Sequence, residues 1–261
     1  HRLALMMHWD GNGPKPSSHV LAKPCAVCAI SKAHAWPVRK ESYEFKDDTI
    51  LGHVFADLGT SMGKSIEGFE HFLSIFVQRP AIYFVFCLRT RGEANQWLMV
   101  WMRRAHTLHF PHKIKHLHVD GELNTNAIKR ECMANGTMPH VNQRSAHEHN
   151  AKGERPIRAL KEISRSVLLQ GGANNHKYWP VGVHNAVQIL GLLPPMRKLR
   201  QKQRKGEDGE RPLTPNEVWR GSRYPNFKEQ MRNLVTPFCE VTAIADDLVV
   251  RGGKTQNPGI P

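Results

Sequence analysis

The sequence predicts an α/β protein, on three observations. Runs rich in Ile, Val, Phe and Tyr at 50–58, 72–77 and 81–88 follow one another with short connections, as neighbouring strands do. Two further strand-like runs, 113–119 and 138–141, instead alternate with helical stretches. Apolar residues recur at helical spacing over 93–108, 127–134, 154–170 and 179–193. With 261 residues, 40% of them hydrophobic, the chain can bury a sizeable core in one large domain or in a medium domain with appendages.

The first three runs read as an antiparallel meander, with Gly59 to Gly68 as a loop by its Gly and Ser content. The first of them carries Asp57 at its end. Glu93 to Leu108 sets Trp97, Leu98, Trp101 and Met102 along one side, so both tryptophans are expected in the core. Lys113 to Val119 alternates basic residues and histidines with Ile114, Leu117 and Val119 and delivers Asp120 at its carboxyl end, where α/β sheets place ligands. His116 and His118 on that strand read as surface or internally satisfied side chains. Asn124 is the expected cap of the helix over 127–134, and Asn135-Gly136 its left-handed stop. His147 to Asn150 reads as a polar loop before a helix that opens near Glu154 and runs to about Gln170. Its apolar Ile157, Leu160, Ile163, Val167 and Leu168 lie opposite Arg155, Arg158, Lys161 and Arg165. The helix from Trp179 to Leu193 stops at Pro194-Pro195 and serves packing.

Outside this middle the composition changes. Residues 197–211 form a dense positive block without an apolar face, a solvated linker that can touch phosphates while disordered. Thr214 to Trp219 can start a short helix, and Leu234 to Val241 and Leu248 to Val250 read as strands. The first 40 residues hold His1, His8, His19, Cys25, Cys28 and His34 among Pro and Gly, too polar to fold without a staple. Cys25-x-x-Cys28 offers two sulfurs on one turn, the bite of a tetrahedral Zn2+ site, which His1 and His8 complete, with His19 as the substitute for His1. The alternative is an unmetallated linker with a chance Cys-x-x-Cys. Cys87, Cys132 and Cys239 read as inert packing residues, and an odd total of five cysteines argues for a reducing compartment. The expected domains are therefore 1–45, 46–196, a basic linker at 197–212, and 213–261.

Lys and Arg number 37 against 23 Asp and Glu, a formal charge of +14, which favours a polyanion such as nucleic acid over an acidic small molecule. No apolar run approaches the roughly 18 residues a membrane span needs, so no membrane partner is expected. The chain opens on His1 rather than Met and reads as a fragment of a longer polyprotein.

Several marks, in order, give the chain a family likeness. They are Cys25-x-x-Cys28 with Ser31-Lys32, Ala56-Asp57-Leu58-Gly59, and Gly68-Phe69-Glu70-His71-Phe72-Leu73. His118-Val119-Asp120-Gly121-Glu122, Asn150-x-x-x-Glu154-Arg155, Tyr178-Trp179-Pro180 with Ala186, and Thr214-Pro215-Asn216-Glu217-Val218-Trp219 follow. Over nearly its whole length the sequence resembles the integrases of copia-type LTR retrotransposons, a branch of the retroviral integrase superfamily. The resemblance implies an RNase H-like core, a mixed five-stranded sheet flanked by helices, after a His-His-Cys-Cys zinc module. It implies Asp57, Asp120 and Glu154 as catalytic carboxylates holding two Mg2+ (or Mn2+) ions, with Glu122 as a weaker rival for the third place. Lys152, Arg155, Arg158 and Lys161 would meet DNA phosphates beside the site, although a solvated helix face accounts for Arg158 equally well. The implied activity is DNA 3′-end processing followed by strand transfer, in the nucleus, by a homo-oligomer acting on element ends and target DNA. The second motif lacks the Asn usual after the Asp, so that Gly121 comes one place early, the stretch from Asp120 to Glu154 is slightly short for the family, and the zinc module is compressed between His8 and Cys25. A DNA-binding protein that keeps the fold without turnover is the alternative; another RNase H-fold nuclease or transposase is weaker.

Overall fold

A computed structural model of the chain describes residues 49–59, 63–142, 147–171, 176–194, 211–227 and 230, with backbone alone for 142 and 147–154. The zinc-module residues His1, His8, Cys25 and Cys28, the block at 197–210 and the strands expected after 233 lie outside them.

Five strands, β1 (His53–Gly59), β2 (His71–Val77), β3 (Ile82–Leu88), β4 (His116–Asp120) and β5 (Met138–Asn142), form one sheet in the order β3-β2-β1-β4-β5. β1, β2 and β3 pair antiparallel, whereas β4 runs parallel to β1 and β5 parallel to β4. The switch follows from the connections. The first three strands are joined through residues 60–70 and 78–81 alone, whereas the helices α1 (Glu93–Leu108) and α2 (Asn126–Asn135) carry the chain back before β4 and β5, as parallel pairing requires. The sheet is thus mixed and flanked by helices, consistent with an RNase H-like core.

Strand alternation divides the core in two. Val54, Ala56, Leu58, Leu73, Ile75, Val77, Leu117 and Val119 point to one face and pack with Leu98, Trp101, Met102 and Ala105 of α1 and Ile128 and Cys132 of α2. On the other face Phe72, with Tyr83, Val85 and Cys87, packs against α3 (His147–Gln170) and α4 (Trp179–Leu192) through Leu160, Trp179, Val183 and Ala186. A Cβ on Gly182 would collide with Ser164 and Leu168, so α3 and α4 approach closely because α4 carries glycine there. α2 begins at Thr125, whose hydroxyl accepts from Ile128 N, and stops at Gly136 with φ 68°. The cap is therefore Thr125, one residue beyond the expected Asn124, while the left-handed stop is as the sequence indicates.

Three other expectations need correction. α3 starts at His147, so Glu154 lies within the helix instead of at its mouth, and Pro156 is accommodated inside it. Trp97 is 41% exposed and stacks on Phe86 at 5.1 Å, whereas Trp101 is buried. Helical phase puts both tryptophans on the sheet side of α1, but β3 is the sheet edge and leaves Trp97 uncovered. Arg211, grouped by charge with the basic block, is buried: its guanidinium forks onto both oxygens of Glu217 and lies 3.6 Å over the Phe227 ring. It anchors α5 (Pro215–Arg220), a helix with a full Thr214–Glu217 capping box, whose Trp219 packs on Phe84, Trp101 and His109. No described helix is long and apolar enough to cross a membrane.

Candidate functional site

The site grows out of the parallel pairing of β1 with β4. Their register runs His53 with His116, Phe55 with His118, and Ala56 with Val119. One step further along both strands come Asp57 and Asp120, at the carboxyl ends and on the face that α3 covers. Neighbouring strands lie about 4.8 Å apart, so the two carboxylates share one end of the sheet. Each is held by a short backbone bond: Asp57 Oδ1 accepts from Leu58 N at 2.8 Å, and Asp120 Oδ1 accepts from Leu123 N at 3.0 Å. Both aspartates are half-buried.

α3 packs against β1 and β2 on this same face and carries the backbone of Lys152 and Glu154; their side chains lie outside the described residues. Arg155 and Arg158 are exposed on it, and Lys161 is half-buried. Glu122 accepts from Arg91 Nη1 at 3.2 Å, an exposed pair between two loops.

Residues at and just before the start of α4 bind the loop that follows β1. Trp179 Nε1 donates to Gly63 O at 3.0 Å, and Ile66 N donates to Lys177 O. At the strand end itself, a Cβ on Gly59 would overlap the Phe72 ring, which fills that space and seals the sheet beneath the site.

Two features on the acid-bearing face escaped the sequence. The first is Ser74, which faces Asp57 across the β1–β2 pairing. It is 2% exposed and its hydroxyl makes no hydrogen bond, an arrangement that costs about 1–3 kcal/mol when left uncompensated. The one available signal was a lone serine inside the apolar run Phe72 to Val77. The second is a row of four histidines behind the aspartates. His53 Nδ1 lies 3.1 Å from His118 Nε2, and His116 Nδ1 lies 3.0 Å from His140 Nε2. The rings stack, His118 against Phe55 at 4.4 Å and against His140 at 4.7 Å. His116 and His118 are therefore satisfied within the fold, one of the two roles expected of them. Burial, followed by the neighbouring His116, holds His140 below the usual imidazole range.

At the two cysteines among the described residues, thiolate chemistry is disfavoured. Cys87 Sγ lies 3.6 Å from His184 Nε2, yet burial first and Glu67 second push its thiol up to about 12, so it carries no thiolate to attack with. Burial likewise raises the Cys132 thiol. Both act as packing residues.

Among the described residues no group of three or more His, Cys, Asp or Glu side chains is arranged to hold a metal ion. Two carboxylates at matched height on adjacent strands, beside a buried unbonded hydroxyl, nevertheless suit a hard divalent cation, which takes oxygen ligands. Comparison with protein-family models and with curated proteins yields no match to this chain.

Proposed function

We propose that the protein is an integrase of the copia type, a polynucleotidyl transferase that trims the 3′ ends of element DNA and joins them to target DNA in the nucleus. The observation that carries this proposal is the placement of Asp57 and Asp120 at the carboxyl ends of two neighbouring parallel strands, under the helix that bears Glu154. Asp57, Asp120 and Glu154 would hold Mg2+ or Mn2+, with DNA phosphate oxygens and water completing the shells. A pair of such ions supplies an activated oxygen nucleophile and a stabilised leaving oxygen, with no covalent enzyme intermediate.

The chain's own residues do the rest. The backbone N–H groups of Leu58 and Leu123 orient one oxygen of each aspartate, so little reorganisation accompanies reaction. Arg155 and Arg158, with Lys152 and Lys161 on the same helix, meet phosphates and set register without reading bases. The net charge of +14 draws the polyanion in.

Replacing Glu154 by Gln keeps size and removes charge. Strand transfer on a short blunt duplex should collapse while DNA binding survives, and Asp57→Asn and Asp120→Asn should behave alike without multiplying in combination. Glu122→Gln should matter much less. Activity of Glu154→Gln within a few-fold of the unaltered protein would show that the third carboxylate lies elsewhere. DNA binding by an unaltered protein that transfers no strands would replace the enzyme with a binding module of the same fold.

A further inference from the structure

We propose that Ser74 is a positioning residue for the Asp57 carboxylate, its buried hydroxyl donating to that carboxylate when divalent cations occupy the acidic site. The proposal rests on the metal-dependent function above.

Among the neighbours of Ser74 in the sheet, one side chain can accept its proton. Ser74 sits mid-strand in β2, on the face shared with Asp57, and its Oγ is buried without a hydrogen bond. Along its own strand the same-face residues are Phe72 and Phe76, and across β3 it faces Val85. None of these three side chains accepts a hydrogen bond. Among its neighbours in the sheet this leaves Asp57, its antiparallel partner in β1, and directly opposed residues have Cβ atoms about 4.5–5.5 Å apart. A serine hydroxyl turns among staggered wells and can donate in any of them. Leu58 N already pins Asp57 Oδ1. A second donor from β2 would fix the carboxylate from the other strand and hold the plane in which it presents oxygens to cations. Unbonded, the same hydroxyl brings no benefit to the stability of the fold, so a role at the acids and a role in folding can be told apart.

This separation of stability from binding makes the test sharp. Mn2+ affinity of the full 261-residue protein is measured by the loss of free-ion EPR signal, beside the thermal midpoint without metal. Ser74→Ala should weaken Mn2+ binding about tenfold or more, as loss of a ligand-orienting partner does elsewhere, while the metal-free midpoint stays level or rises. Ser74→Thr and Ser74→Val, nearly equal in volume, separate hydroxyl from shape: Thr should retain affinity and Val should lose it. Asp57→Asn serves as the reference. If Asp57→Asn abolishes Mn2+ binding while Ser74→Ala and Ser74→Val bind like the unaltered protein, the positioning role is overturned and the metal site stands. If Asp57→Asn binds Mn2+ as tightly as the unaltered protein, or the unaltered protein binds none, the metal-dependent function falls and takes the role of Ser74 with it.

Discussion

Glu217→Gln should loosen the segment from Arg211 to Phe227 far more than a surface change would. The carboxylate is 1% exposed and accepts from Arg211 Nη1 at 2.7 Å, from Thr214 N at 2.9 Å and from Tyr224 N at 2.8 Å. Burial alone would push this carboxyl up, but the Arg211 guanidinium and the two backbone N–H groups outweigh it and pull it down from 4.5 to about 2. That preference for the charged form corresponds to about 3 kcal/mol. Breaking a buried pair by removing one partner costs about 3–5 kcal/mol, since Arg211 would be left buried without its counter-ion. The two figures agree, and about 3 kcal/mol raises the population of the undocked segment about a hundredfold. Amide exchange over 214–221 and the fluorescence of Trp219, which packs on Phe84 and Trp101, both report that opening. Arg211→Met combined with Glu217→Gln should cost less than the two single changes together, because the uncompensated charge is gone. Unchanged exchange in Glu217→Gln, with a stability loss under about 1 kcal/mol, would refute the clasp. The pH dependence has a definite sign. A carboxyl depressed in the fold contributes its full stability above 4.5 and loses it as pH falls through about 2.

Three further outcomes are expected. His106, His109 and His140 are each held below the usual imidazole range, chiefly by burial. The unfolded chain therefore takes up these protons first, and urea midpoints should be level above about 6.5 and decline below it; a flat profile from pH 8 to pH 5 would contradict this. DNA affinity should be largely independent of sequence and drop steeply between low and moderate salt, so a salt-insensitive binding curve would remove the phosphate-contact basis of the proposal. The purified protein should carry about one zinc per chain through Cys25 and Cys28; metal analysis showing none, with both thiols freely alkylated in the native state, would dismiss the module.

Runs of Ile, Val, Phe and Tyr, with alternation in β4, located every described strand, and helical spacing located the helices from Glu93, Asn126 and Trp179, all to within a few residues, because composition and period are written locally. Asp57 and Asp120 were likewise legible as strand-end acids. The cap of α2 and the first turns of α3 were less so. Thr125 and Asn124 are both competent caps, and a polar stretch such as His147 to Asn150 has no apolar phase to announce a helix. Surface or core was misjudged for Trp97 and for Arg211, since helical phase and charge runs say nothing of which strand forms an edge or which acid waits across a loop.

By itself, then, the sequence determined the α/β class, the order of its elements and the acids that end β1 and β4, all consequences of side-chain period and turn chemistry within short windows. Only the tertiary structure decided that β4 pairs with β1 in parallel, and with it everything nonlocal. Strand register set Asp57 beside Asp120, placed Ser74 opposite Asp57, and joined His53 to His118 and His116 to His140. His53 and His118, like Asp57 and Asp120, come from stretches far apart in the chain, and their register is settled only when the two strands pair in the assembled sheet.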